Sequence, residues 1–276
     1  MSDEEQSRAN AAYWNELCGT NIAQALGIDD RTPSSLSKFD EWFFDFYPYL
    51  IPFLEKSLSN ASRILEVGLG YGSVASHLAS TGFEYIGLDI ALGPVGMCNQ
   101  RLKEAGLPET AKLGDALAAP FEDNYFDAVV AIGSLHHTGN FDLAISEMCR
   151  ITKPQGVVCG MVYSTFSARN FIRRPLHTFK RFIIHQYSPV REKADTKLRW
   201  MSDHNQNGEA APATEYFSRK ALRTILSQYG EVEIRCHNLD SFPLPFNMGL
   251  GLRKLLLKTK IASWLGLDLY FKIHLK

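Results

Sequence analysis

Three glycines two residues apart, Gly68, Gly70 and Gly72, follow the short apolar run Arg63–Val67 and precede a helical pattern. Glycine accepts positive φ and lets another group come against the backbone. Three in one short turn predict a loop built around a ligand. A carboxylate, Glu66, stands at the start of that loop. Two more close the next apolar runs: Asp89 in "GLDIA", and Asp115 directly after Gly114. A carboxylate at a strand end can accept both hydroxyls of a ribose, and one at the following strand is placed for an adenine amino group. A nucleoside cofactor is therefore the expected ligand. Asp89 alone does not separate NAD from other nucleosides. The loop, however, reads G-x-G-x-G with serine at 73, where a dinucleotide fingerprint would carry its third glycine.

A second set of residues could move protons. His136 and His137 follow the apolar run 126–132 in "GSLHHTGN", and Tyr163 closes the run 156–164. Histidine titrates near neutral pH and suits work as a general base. Tyr163 is a further candidate for the wall of an acceptor pocket.

These residues need a scaffold that brings strand ends together. Strands are expected at 63–67, 84–88, 111–114, 126–132, 156–164 and 231–237, with a last one in "LDLYFKIHL". Helical patterns lie between them at 73–80, 94–105, 141–152 and in "SRKALRTILSQYG". Near-continuous apolar strands alternating with helices indicate a parallel sheet covered on both faces. Right-handed crossovers make it a doubly wound, Rossmann-like α/β fold, with ligands at the carboxyl ends of the strands. The base should then sit where strand order reverses, between 63–67 and 126–132, which is where the two histidines leave the sheet.

The quoted stretches "ILEVGLGYG", "GLDIA", "GDALAAPFEDNYFDAVVAIGSLHHT" and "ITKPQGVV" resemble the successive motifs of class I S-adenosylmethionine-dependent methyltransferases, closest to the small-molecule branch with the ubiquinone- and menaquinone-type enzymes. The resemblance covers about residues 60–164 and the helix and strands at the end. It implies S-adenosyl-L-methionine as cofactor and a seven-stranded sheet whose last strand is antiparallel. It further implies that the methionine end lies over Gly68, Leu69 and Gly70 with Glu66 nearby, that Asp89 serves the ribose and Asp115 the adenine, and that Ile90, Ala116 and Ile132 complete the cofactor site. In such enzymes the first of two residues placed like His136 and His137 tends to face the substrate, so His136 is the preferred base and His137 the loop support. N-terminal helices in similar enzymes fold over the cofactor, which gives Tyr13 and Trp14 a shielding role.

Three regions are expected: an N-terminal helical lid over 1–58, a cofactor-binding core over 59–164 and 215–276 with an inserted helix at 247–265, and a basic cap over 165–214. Helical stretches are read at 8–27 and 37–58 within the lid. Between 164 and 200 nine Lys/Arg face two acids, a net of +7, which leaves −8 for the rest of a chain whose total is −1. Such asymmetry fits a solvated cap surface, an anionic group on the acceptor with Arg173 and Arg174 as its contacts, or an anionic membrane surface. The segment 247–265 carries leucines on two helical faces and must contact more than its own core; a partner copy, an acceptor tail, the aromatic N-terminal helices or lipid can supply the second surface.

Composition bounds the remaining options. Hydrophobic residues are 45% and charged residues 21% of 276, an ordinary balance for a globular protein. Five cysteines without a C-x-x-C pair fit reduced thiols rather than a disulfide framework, and no metal is expected. The start "MSDEEQSRAN" is too acidic for a signal peptide and no run approaches a membrane span, so a cytoplasmic protein is expected. No N/D-P-P-Y/F tetrapeptide follows 126–132, which argues against nucleic-acid methylation. The expected activity is methyl transfer to an oxygen, less readily a nitrogen, of a small-molecule, glycan or natural-product acceptor. The alternative is a non-catalytic domain that binds the S-adenosyl ligand or regulates a partner.

Overall fold

The computed structural model describes residues 2–17, 19–28, 31–240 and 248–276. Helix α1 (Asp3–Trp14) opens on a capping box in which the Ser2 hydroxyl and the Glu5 carboxylate each accept the other residue's backbone N–H. It is followed by α2 (Thr20–Ala25), α3 (Pro33–Phe46) and α4 (Leu50–Leu58). Both helical stretches expected in this region are thus divided. The first breaks before Gly19, whose φ of 93° turns the chain. The second breaks at Tyr47-Pro48: a residue before proline avoids the helical region, and Tyr47 sits at φ −118°, ψ 61°.

The core alternates strand and helix: β1 (Arg63–Val67), α5 (Ser73–Ser80), β2 (Glu84–Asp89), α6 (Leu92–Glu104), β3 (Ala111–Leu113), β4 (Phe126–Ile132), α7 (Phe141–Ile151) and β5 (Thr152–Ser164). The insertion holds α8 (Ala168–Arg173), α9 (Pro175–His185), β6 (Arg191–Lys193), α10 (Thr196–Ser202) and β7 (Glu215–Phe217). The chain closes with α11 (Arg219–Leu226), β8 (Gly230–His237), α12 (Met248–Leu257), α13 (Lys260–Leu265) and β9 (Asp268–Leu275). The stretch expected as one helix over 247–265 is therefore two, and its first residue lies outside the described ones.

Seven strands run β3-β2-β1-β4-β5-β9-β8, parallel except for β9, which is antiparallel to both neighbours. The short strands β6 and β7 extend β5 beyond the end of β4, with Tyr216 beside Tyr163, so the sheet has nine strands rather than the expected seven. One face packs on α7 and α11 through Phe126, Phe141, Ile145 and Phe217. The other packs on α4, α5 and α6 through Leu54, Leu58, Leu78 and Leu102. Cys98, Cys149, Cys159 and Cys236 are free thiols, and burial pushes Cys98, Cys149 and Cys159 up to about 12. No helix among the described residues is long and apolar enough to cross a membrane.

The lid and the C-terminal insertion are joined by one buried cation. Arg253 donates to the Leu239 carbonyl at 2.8 Å, the Asn238 side-chain oxygen at 2.8 Å and the Phe46 carbonyl at the end of α3 at 2.6 Å, with its guanidinium over the Phe46 ring. Removing it leaves buried acceptors without a donor, each costing about 1–3 kcal/mol. Arg253→Ala is expected to lower folding stability by about 2–4 kcal/mol in a denaturant titration. A loss below about 1 kcal/mol would show that water replaces the guanidinium and that the joint is not structural.

Candidate active site

Strand order reverses between β1 and β4, and the two loops leaving their carboxyl ends face each other there. The Ser134 hydroxyl, from the loop after β4, donates to the Val67 carbonyl at 2.6 Å. Gly68 takes φ 86°, and any Cβ on it would run into the Ser134 side chain. The glycine is thus required twice, by its backbone angle and by the close approach of the second loop.

Three carboxylates line the crevice. Asp89 accepts the Leu69 N–H at 2.7 Å and the Ala91 N–H at 2.9 Å, which ties the glycine loop to the end of β2. Burial pushes it up to about 6, and these backbone N–H groups oppose that rise. Glu66 is buried on the floor and accepts from the Tyr85 hydroxyl at 2.6 Å; burial pushes it up to about 8. Asp115 accepts the Leu117 N–H at 2.8 Å and is also bonded to the Ser7 hydroxyl of α1. Asn10, one turn further along α1, donates to the His137 carbonyl at 3.0 Å. The first helix therefore crosses the crevice from Asp115 to the histidine loop.

All nine residues expected at the cofactor, Glu66, Gly68, Leu69, Gly70, Asp89, Ile90, Asp115, Ala116 and Ile132, line one cavity of about 1100 Å³ with its mouth included. Trp14, expected as a shield, lines it too, as do Asn10, Phe39, Tyr71 and Ser134, which the sequence did not point to. A second cavity, about 1720 Å³ by the same measure, adjoins it, and Trp14, Phe39 and Phe43 belong to both. Its walls are aromatic, with Trp42, Phe46, Tyr163 and Tyr216 among them. Its polar groups include Arg169 and Asp203 from the cap, Asp240, and Asp268 of β9, which burial pushes up to about 7.

The histidines take places opposite to those expected. They lie in a single 3₁₀ turn over 135–137, where adjacent side chains point about 120° apart and only one can face the cavity. That one is His137. Its Nδ1 is 2.9 Å from the Ala213 carbonyl, and its Nε2 is 3.8 Å from Asp203 Oδ2. His136 is fully buried and lines neither cavity, with both ring nitrogens lacking a hydrogen-bond partner among the described residues. Burial holds it well below the usual histidine range. Tyr163 lines the second cavity and donates to Asp203 Oδ1 at 3.1 Å.

Arg173 and Arg174 line neither cavity. Arg173 donates to the Met201 carbonyl at 3.0 Å, and Arg174 pairs with Glu192 at 3.3 Å. The cap's own acids and carbonyls occupy these cations. The arginine that does reach the second cavity is Arg169, itself 2.6 Å from Asp240.

Residues 65–160 match the methyltransferase-domain family. The chain carries a class I S-adenosylmethionine-dependent methyltransferase domain. Its cofactor is S-adenosyl-L-methionine. A fatty-acid O-methyltransferase of Mycolicibacterium smegmatis is 41% identical over 96 residues, 34% of either chain. A demethylmenaquinone methyltransferase of Renibacterium salmoninarum is 35% identical over 106 residues, 38% of this chain and 43% of that one. The chain thus spans about a third to two-fifths of the length of these curated relatives. A crystal structure of an S-adenosylmethionine-dependent methyltransferase from Methanosarcina mazei shares the fold at TM-score 0.52 and 18% identity, over 81% of this chain and 97% of that one. The lining suits the cofactor of such a domain: a glycine loop, two carboxylates at successive strand ends, and a third, buried one beside them.

Two outcomes follow. Gly68→Ala is expected to cost about 1–3 kcal/mol of stability, with S-adenosylhomocysteine affinity by calorimetry reduced as well. Adding Ser134→Gly should recover only part of the loss, because it removes the collision and leaves the strained φ. The second outcome concerns pH. Glu66 keeps its proton in the folded protein up to about 8, against an ordinary value of 4.5. Its contribution to folding is complete below the ordinary value and is lost as pH rises through the folded one. Stability of the ligand-free protein should therefore fall between about pH 5 and pH 8, and Glu66→Gln should flatten that slope. An unchanged slope in the variant would assign the pH dependence to other groups.

Proposed function

We propose that this methyltransferase domain transfers a methyl group to a hydroxyl oxygen of a small amphipathic acceptor held in the second cavity. The observation that carries the reading is the junction of the two cavities at Trp14, Phe39 and Phe43, with His137 in the wall of the first and its partner Asp203 in the wall of the second. When bound, the sulfonium of the cofactor supplies an activated methyl group, so the protein's main task is alignment. Glu66, Asp89, Asp115 and the backbone of Gly68, Leu69 and Gly70 would hold the cofactor, and α1 would cover it.

His137 is the base in this reading. The base has the tautomer in which Nδ1 donates its proton to the Ala213 carbonyl, which can only accept, and Nε2 keeps its lone pair; the Thr214 hydroxyl lies 3.2 Å from the same Nδ1. Nε2 takes the acceptor's hydroxyl proton, and the imidazolium then faces the Asp203 carboxylate. Aromatic walls suit an acceptor with a flat or apolar body, and the similarity to a fatty-acid O-methyltransferase and a demethylmenaquinone methyltransferase supports the same choice. Arg173 and Arg174, engaged within the cap, do not call for an anionic group.

Single-turnover methyl transfer to a panel of hydroxylated amphiphiles tests the assignment. His137→Ala should lower the rate by about 10²–10⁴ with cofactor affinity nearly unchanged. Asp203→Asn should give a smaller loss, because the imidazolium formed in the reaction no longer faces a carboxylate. A loss below about threefold in His137→Ala would mean that alignment alone carries the reaction and that no base is used.

A further inference from the structure

Two segments of the chain put apolar side chains where cores do not. Among the described residues eighteen large hydrophobic side chains are exposed, and thirteen of them fall within 172–187 and 250–265. Helix α9 shows the pattern most clearly. Leu176, Phe179 and Ile183, spaced at i, i+3 and i+7, share one helical face, and their exposures are 87%, 59% and 47%. The buried residue of that helix is Thr178, on the opposite side. The helix therefore turns its apolar stripe outward and a hydroxyl inward, the reverse of a helix packed by its own core. The second segment repeats the feature: Leu255, Ile261 and Trp264 are exposed, Trp264 by 75%.

The charged residues within the two segments themselves have one sign, although Arg169, Arg174 and Lys254 pair with acids of other elements. Residues 168–190 hold Arg169, Arg173, Arg174, Lys180 and Arg181 and no acid. Residues 248–265 hold Arg253, Lys254, Lys258 and Lys260, again with no acid. Lys180, Lys258 and Lys260 are exposed beside the apolar side chains. Protruding aromatic and aliphatic groups set among cations are the composition of helices that lie in the headgroup region of anionic bilayers. A symmetric pairing of two copies through either stripe would set these cations against their own images, which costs energy. The two segments also border the same cavity: Arg169 and Asn170 come from α8, next to α9, and Leu250 from α12.

We infer that α9, together with α12 and α13, docks the protein on the surface of an anionic membrane, with the apolar stripes in the headgroup layer and the lysines against lipid phosphates. The docking does not rest on the acceptor or the base assigned above, and its test reads binding alone.

The intact protein is mixed with phosphatidylcholine vesicles with and without phosphatidylglycerol, and the bound fraction is measured by flotation. Binding is expected to the anionic vesicles only and should weaken as salt rises. Leu176→Ser with Phe179→Ser should reduce partitioning about tenfold or more, and both sites are exposed enough for the circular dichroism of the variant to stay unchanged. Lys258→Glu with Lys260→Glu should also weaken binding at low salt, by an amount that shrinks at high salt. Failure to bind anionic vesicles would overturn the inference, as would binding that the α9 double variant leaves intact. Sedimentation equilibrium showing a dimer that the same α9 variant dissolves would overturn it too, and would assign the stripe to a second copy of the chain.

Discussion

The loops that leave β1 and β4 can meet because residue 68 has no side chain. The Ser134 methylene occupies the space a Cβ would need, and its hydroxyl closes the gap by donating to the Val67 carbonyl. This contact fixes the distance between the two strand ends. The Asp89 carboxylate then locks the same loop from the far side through the Leu69 N–H. With the glycine loop held from both flanks, Glu66 is sealed beneath it and His137 is brought to the rim on the 3₁₀ turn that follows Ser134.

Buried carboxylates are the electrostatic signature of the site. Glu66, Asp89 and Asp268 are all pushed up by burial, and none of them has an ion-pair partner among the described residues. They rest instead on neutral donors: a tyrosine hydroxyl, backbone N–H groups and the Asn238 amide. By contrast, several arginines of the cap have ion-pair partners. Arg174 faces Glu192 and Asp195, and Arg191 faces Glu215 and Asp142. The crevice therefore holds carboxyl groups without a cation, while several cap arginines are already paired.

What was legible in the sequence was local. The glycine spacing, the acidic residues closing β2 and following β3, and the apolar strands each declare themselves within a few residues, and the residues read from them line one cavity. The division of labour between His136 and His137 was not legible, because it depends on the phase of a three-residue turn that no periodicity reveals. Counting charges in the cap found the excess of cations but could not say which are engaged: Arg173 and Arg174 are, and Arg169, four residues earlier, is the one at the cavity. Asp203 lies 66 positions from His137 and meets it only because the short strands β6 and β7 fold the cap back against β5. Gly19 and Pro48 were visible as chain breakers, yet the aromatic and apolar pattern on either side of them outweighed that signal in the reading of 8–27 and 37–58.

Helix α1 presents an unusual inner surface. Its buried side chains are Gln6 and Asn10, and its attachments are hydrogen bonds from Ser7 to Asp115, from Asn10 to the His137 carbonyl, and between Asp3 and Asn140. Lifting its first two turns from the crevice exposes polar groups that water can satisfy and little apolar surface. The heat capacity of such an opening is small, because that quantity follows the apolar area newly wetted. An opening of this cover would therefore have an equilibrium that varies gently with temperature, while the sheet beneath it, packed on Phe126, Phe141 and Leu65, keeps the strongly curved stability of an apolar core.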